Sequence, residues 1–314
     1  MSPLVVILGP TGVGKSWLAL KLAQKLGGEI LSADSRQVYR YMDIGTAKPS
    51  PEERKLVPHH LIDLVDPDEE FNLAIFSELA ARKLKEVRGR GRLPLLVGGT
   101  GLYIWAFLEE WKLPHVPPNP ELRRELEERA RIEGVDSLYQ ELWEVDPEAA
   151  RRIDKRNVRR VIRALEVYRT SGHRISSLTR KGSLRKDVLI IGLHLPRPEL
   201  YCRIDLRVEE MLRKGLVEEV RWLLERGYSP SLPSMSGVGY RQIGQYLQGR
   251  LSLPEAVQRI KYETHRFARH QYAWFRLEDE RIHWLEADKC IEEQALRLLR
   301  DAFPNPIQVN PLTR

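Results

Sequence analysis

Eight residues near the start of the chain have the types and spacing to hold a phosphate. Gly9-Pro10-Thr11-Gly12-Val13-Gly14-Lys15-Ser16 fits the pattern G-x-x-x-x-G-K-[ST]. Glycines in such a loop let backbone N–H groups close around an anion. The following helix N-terminus adds partial positive charge, and Lys15 adds a full one. Ser16 supplies the hydroxyl that such a loop offers to Mg2+. The pattern implies only that a di- or triphosphate is bound. A hydrolase built on it also carries a carboxylate at the end of a neighbouring buried strand. Here the apolar run 93–97 ends instead in Gly98-Gly99-Thr100-Gly101. The carboxylate stands elsewhere, at Asp34, which taken alone also fits a helix cap or a turn. Two basic stripes follow. Arg156, Arg159, Arg160 and Arg163 share one helix face, while Val158, Val161, Ile162 and Leu165 share another. Arg266, Arg269, Ala273 and Arg276 align in the same way, interleaved with His265, Phe267, His270, Tyr272, Trp274 and Phe275. Guanidinium groups bind phosphates and aromatic rings stack on unpaired bases, so this mixture suits a single-stranded RNA loop. The same aromatics also suit a helix core.

These groups need a scaffold. The continuous apolar run 4–8 reads as a buried parallel strand, and 16–26 as a helix stopped by Gly27-Gly28. Segments 29–33 and 93–97 read as strands, 76–87 and 102–109 as helices. That alternation implies an α/β fold with helices on both faces of a parallel sheet. The carboxyl ends of its strands line the ligand crevice, which brings Asp34 and Thr100 to the phosphate loop. Four prolines within 113–120 mark a boundary. Segment 120–171 is helical in pattern throughout, 187–195 returns as a strand, and 198 to about 303 is mostly helical, followed by a loose tail over 303–314. The expected architecture is a P-loop NTPase-like parallel core, 1–114 with 187–314, interrupted by an all-helical insertion at 115–186.

A chain of 314 residues suits about two domains. With 42% hydrophobic and 30% charged residues it is neither disordered nor fibrous. No stretch reaches the roughly 18 apolar residues of a membrane span, and no secretory signal is expected, since no basic region precedes the first apolar run. Cys202 and Cys290 lie too far apart for a zinc ribbon or disulfide framework. A reduced, cytoplasmic enzyme is the expectation. His59-His60 lacks a third ligand at metal spacing, so polar loop contacts are expected there. The net charge of +7 is unevenly spread. Segment 110–150 has 5 basic and 11 acidic residues, whereas 151–186 has 13 basic and 2 acidic. That second run suggests a polyanionic partner.

Several motifs together resemble one family. Gly9-Pro10-Thr11, Asp34-Ser35-Arg36-Gln37-Val38-Tyr39, the run from Met42 to Pro49, Gly98 to Tyr103, Val238-Gly239-Tyr240-Arg241-Gln242 and Arg269 to Phe275 are similar to the bacterial tRNA dimethylallyltransferases. The resemblance runs from residue 4 to about 285. It implies transfer of a dimethylallyl group from dimethylallyl diphosphate to N6 of adenosine 37, beside the anticodon, in tRNAs reading codons that begin with U. Asp34 would then take the N6 proton, and Thr100 would place the reacting centre. Lys15, Ser16 with Mg2+, the loop amides and Arg207 would hold the leaving diphosphate. The resemblance assigns tRNA contacts to Asp34, Ser35, Arg36, Gln37, Thr100 and Arg123. It adds Arg159, Arg160, Val161, Ile162 and Arg163, then Ser236 to Gln242 (Gly239, Tyr240, Arg241 and Gln242 among them), and finally Arg269, His270, Gln271, Trp274 and Arg276. His270 departs from the family's common Lys-Arg-Gln at this point. No membrane partner is implied, and a monomer is expected. The competing readings are a free-nucleotide isopentenyltransferase, a P-loop small-molecule kinase and a non-catalytic RNA-binding switch.

Overall fold

The computed structural model describes residues 2–114 and 116–303. The tail expected over 304–314 lies outside them. In chain order the first part runs β1 (Leu4–Leu8), α1 (Lys15–Leu26), β2 (Gly28–Ser32), α2 (Pro51–Leu56), β3 (His59–His60), α3 (Leu73–Gly89), β4 (Leu93–Gly98) and α4 (Gly101–Leu108). Helices α5 (Pro120–Ile132), α6 (Val135–Val145), α7 (Pro147–Arg152), α8 (Val158–Ser171) and α9 (Ile175–Leu178) come next. The chain continues with β5 (Val188–His194), α10 (Arg197–Arg213), α11 (Leu216–Glu225), a 3-10 turn at Ser234–Ser236, α12 (Tyr240–Leu247), α13 (Leu253–Gln271), β6 (His283–Glu286) and α14 (Ile291–Ala302). It divides into two compact units, 1–107 with 186–314, and 108–185.

The six strands of the first unit are all parallel, in the order β3-β2-β4-β1-β5-β6. Strand β1 is central, with Val5 paired to Leu95 on one side and Leu189 on the other. Helices cover both faces of such a sheet, so β1 carries no polar alternation and Leu4 to Leu8 are wholly buried. Strands β3 and β6 depart from the expected pattern. Both are edge strands, of two and four residues, too short to carry a period. Helix α3 starts at Leu73 instead of 76 because the Asn72 side chain accepts the N–H groups of Ala74 and Ile75. Helix α13 ends at Gln271, whose carbonyl accepts from Trp274 and Phe275. Ala273 and Arg276 are therefore off the helix, and the expected alignment stops at Arg269. No helix among the described residues is long and apolar enough to cross a membrane.

The second unit is helical, with Leu126, Leu138, Leu142, Val161 and Leu165 in its core. Its charge pattern gives part of the basic run partners within the unit. Arg152, Lys155, Arg169, Lys181 and Arg185 pair back to Glu148, Asp136, Glu125 with Glu141, Glu109 and Glu110. Arg156 pairs with Asp154. Part of the basic stretch is thus paired with the acidic one inside the unit, while Arg159 and Arg160 are exposed. Over 108–185 the chain holds 17 Lys/Arg against 14 Asp/Glu. Glu166, fully buried, accepts from the Asn119 N–H and is paired with both Arg123 and Arg163.

Candidate active site at the carboxyl edge of the sheet

Strand β1 ends at Leu8, and Gly9 turns the chain away at φ 143°. A Cβ at Gly9 would lie 2.5 Å from the Leu193 carbonyl oxygen of β5. Gly12 and Gly14 also hold positive φ, 83° and 106°, the second as the N-cap of α1. The loop thus needs these glycines for conformation as well as for room. The Lys15 ammonium donates to the Pro10 carbonyl at 2.8 Å, folded over its own loop. Lys15, Ser16, Asp34, Thr100 and Arg207 line one cleft of about 350 Å³. Burial and the Arg207 guanidinium push Lys15 down to about 7, against a smaller upward pull from Asp34. Burial lowers Arg207 as well, opposed by Asp34 and Glu210. Among the described residues, neither cation has an ion-pair partner within 4.0 Å. Two half-buried cations that share one nearby carboxylate are relieved by an anion of several charges.

Parallel packing sets the end of β2 against the end of β4. A Cβ at Gly98 would sit 2.2 Å from the Ala33 carbonyl oxygen, so glycine lets the two turns touch. Thr100 N–H donates to that carbonyl at 3.3 Å, and its hydroxyl accepts the Ser35 N–H at 3.1 Å. One Asp34 oxygen accepts the Arg36 N–H at 2.8 Å, a side-chain turn of the kind Asp favours. Its other oxygen has no hydrogen-bond partner among the described residues. Asp34 is thus a turn residue and a cleft carboxylate at once.

Side chains buckle the surrounding loops together. Arg36 donates to the Pro233 carbonyl at 2.6 Å. Gln37 accepts the Ser32 hydroxyl at 2.9 Å and donates to the carbonyls of Thr46 and Ala47. Glu219 of α11 accepts the N–H groups of Asp43, Ile44 and Gly45 and, at 2.6 Å, the Tyr240 hydroxyl. Gly45 is obligatory there, since a Cβ would lie 2.5 Å from the Tyr240 ring.

The comparisons agree on one assignment. The family model described as IPP transferase matches residues 37–278, and a second, Isopentenyl transferase, matches 2–63. A tRNA dimethylallyltransferase from Thermomicrobium roseum is 54% identical over 95% of this chain and 92% of its own. The crystal structure of the tRNA isopentenylpyrophosphate transferase from Bacillus halodurans is 39% identical, with TM-score 0.70 over 97% of this chain and 99% of that one. A eukaryotic dimethylallyltransferase, described as acting on tRNA, gives TM-score 0.83 at 28% identity over 99% of this chain and 82% of its own. The chain belongs to the tRNA dimethylallyltransferase family.

Family motifs fall into two structural classes here. Arg159, Arg160, Arg241, Arg269, His270, Trp274 and Arg276 are exposed. By contrast, Val161 and Ile162 are core residues of the helical unit, and Tyr240, Gln242 and Gln271 are buried in the first unit. Apolar packing holds the first two side chains, and intramolecular hydrogen bonds hold the others. Gln242 caps the Gly239 N–H at 2.9 Å. Gln271 bridges Thr11 N–H and the Gly99 carbonyl. Arg36, Gln37, Arg123 and Arg163 likewise spend their polar ends on protein partners. The interleaved aromatics divide as well: Phe275 is buried, whereas Phe267 is 49% exposed and lines the cleft. His60 pairs with buried Glu29 at 2.6 Å across the β2–β3 edge, and His59 lines the cleft. Glu219 escaped sequence reading because no motif surrounds it.

A pH dependence follows from Lys15. An anion bound beside it raises its pKa toward the ordinary lysine range, so the bound state holds more protons above about pH 7. A diphosphate should bind with uptake of up to one proton at about pH 8, and its affinity should fall as pH rises further. Calorimetry in buffers of different ionisation heat measures this. Binding without proton uptake would place the diphosphate away from Lys15.

Proposed function

We propose that the chain transfers a dimethylallyl group from dimethylallyl diphosphate to N6 of adenosine 37, beside the anticodon, in tRNAs reading codons that begin with U. The observation that carries this reading is the pair of half-buried cations, Lys15 and Arg207, lining one cleft with Asp34. The N6–carbon bond forms as the carbon–oxygen bond to diphosphate breaks, and the N6 proton passes to Asp34. Lys15, Arg207 and the loop amides stabilise charge that grows on the departing diphosphate. Thr100, held against Ser35, places the reacting centre between them. An adenine amino group is a weak nucleophile, so positioning and base assistance supply the rate. Adenosine 37 has to leave its stack to reach the cleft.

Among the described residues, no three His, Cys, Asp or Glu side chains cluster to hold a metal. The Ser16 hydroxyl lines the cleft and is exposed. That donor set fits Mg2+, which takes phosphate oxygens, keeps several waters and needs few protein ligands. When bound, Mg2+ adds positive charge at the leaving group. The names of the relatives and the exposed arginines support tRNA as acceptor. Two exposed free cysteines suit the reducing cytoplasm, where we place the enzyme as a monomer.

Diphosphate release should require tRNA, and AMP should not support it. Release with AMP alone would favour a free-nucleotide isopentenyltransferase. Arg159, Arg160, Arg266 and Arg276 make no salt bridge among the described residues and are exposed. If these four bind phosphates, tRNA affinity should fall roughly 10²-fold between about 50 and 200 mM salt. A flat response in a filter-binding titration would remove them from the RNA interface.

A further inference from the structure

We infer that Gln271 is a positioning residue that ties the acceptor-facing helix to the donor loop and does not itself read RNA. Its side-chain oxygen accepts the Thr11 N–H at 2.8 Å, and its side-chain nitrogen donates to the Gly99 carbonyl at 2.8 Å. These partners lie 260 and 172 residues away in sequence. Gln271 is only 4% exposed. A carboxamide is both acceptor and donor, which lets one side chain serve an N–H and a carbonyl together. Position 99 is matched to it, since a Cβ there would lie 2.2 Å from the Gln271 amide nitrogen.

The bridge joins three parts of the site. Thr11 belongs to the phosphate loop. Gly99 precedes Thr100, whose hydroxyl holds the turn that carries Asp34. Gln271 ends α13, whose Arg266, Phe267, Arg269 and His270 are exposed. A shift of α13 on RNA binding is therefore passed directly to the diphosphate loop and to the Thr100 turn. The Thr11 amide is fixed by Gln271 rather than offered to phosphate, so the loop is shaped before the donor arrives.

The activity arm of the test rests on the prenyl-transfer reading; the binding arm does not. Gln271→Met keeps the length and removes both hydrogen bonds. Gln271→Glu keeps the acceptor toward Thr11 and, once protonated, the donor toward Gly99. For Gln271→Met, diphosphate affinity by calorimetry should weaken about ten-fold and kcat should fall about ten-fold or more, the scale of one or two lost hydrogen bonds. Affinity for tRNA should stay within about two-fold of wild type, because the side chain is buried. Gln271→Glu should regain most of its kcat, relative to wild type at each pH, as pH falls from about 8 to about 6. The ratio removes pH effects common to both enzymes, including any from Lys15, Asp34, Arg36, His59 and Arg207, which line the same cleft. Weaker tRNA binding with unchanged kcat and diphosphate affinity would make Gln271 an RNA contact and overturn the inference. Unchanged diphosphate affinity and kcat in both variants would overturn it as well. A wild-type chain that binds diphosphate but prenylates no tRNA would overturn the transfer reading instead, and the diphosphate affinity of Gln271→Met would still decide the bridge.

Discussion

Replacing Asp34 with alanine should slow tRNA prenylation by about 10²-fold or more with tRNA affinity largely kept, the scale of lost base assistance to a proton transfer. The geometry makes a sharper version possible. One Asp34 oxygen holds the Arg36 N–H at 2.8 Å, and asparagine can accept that bond equally well while being unable to take a proton. Asp34→Asn should therefore be nearly as slow as Asp34→Ala. Wild-type turnover in Asp34→Asn would make Asp34 only a turn residue and require another base. Single-turnover rates with tRNA in excess separate these outcomes from binding.

Lys15→Ala should raise KM for dimethylallyl diphosphate and lower kcat, with kcat/KM down by about 10²-fold or more, comparable to losing a preorganised donor at a developing anion. Lys15 meets two requirements at once. It neutralises the bound diphosphate, and it strengthens as charge moves onto the leaving group. Proton uptake on donor binding should vanish in the same variant, because burial and Arg207 hold the Lys15 pKa at about 7. Ordinary donor kinetics in Lys15→Ala would put the diphosphate elsewhere.

How far the sequence was legible follows from the range of the interactions. The phosphate loop is written in eight contiguous residues, and its glycines at 9, 12 and 14 hold positive φ for local reasons. Strands β1, β4 and β5 are continuous apolar runs, readable because they are buried on both faces. The edge strands β3 and β6 carry no comparable signal. Residues 151–186 were harder, because pairs such as Arg169 with Glu125 and Glu141 span the helical unit and no spacing rule reports them. Arg36, Gln37 and Gln271 were visible as motif residues. Polarity in a motif does not say whether a side chain faces an RNA or a backbone amide, and in these three the backbone holds it. Glu219 fixes the loop at Asp43 to Gly45 from a helix with no motif of its own.

The most direct test of the central claim is nucleoside mass analysis of unmodified tRNA after incubation with the chain, dimethylallyl diphosphate and Mg2+, with AMP as a parallel acceptor. Prenyl transfer predicts an adenosine heavier by one C5H8 unit, at the position beside the anticodon, only in the tRNA and only with donor present. The same gain on AMP alone, or no gain on either acceptor, would contradict it.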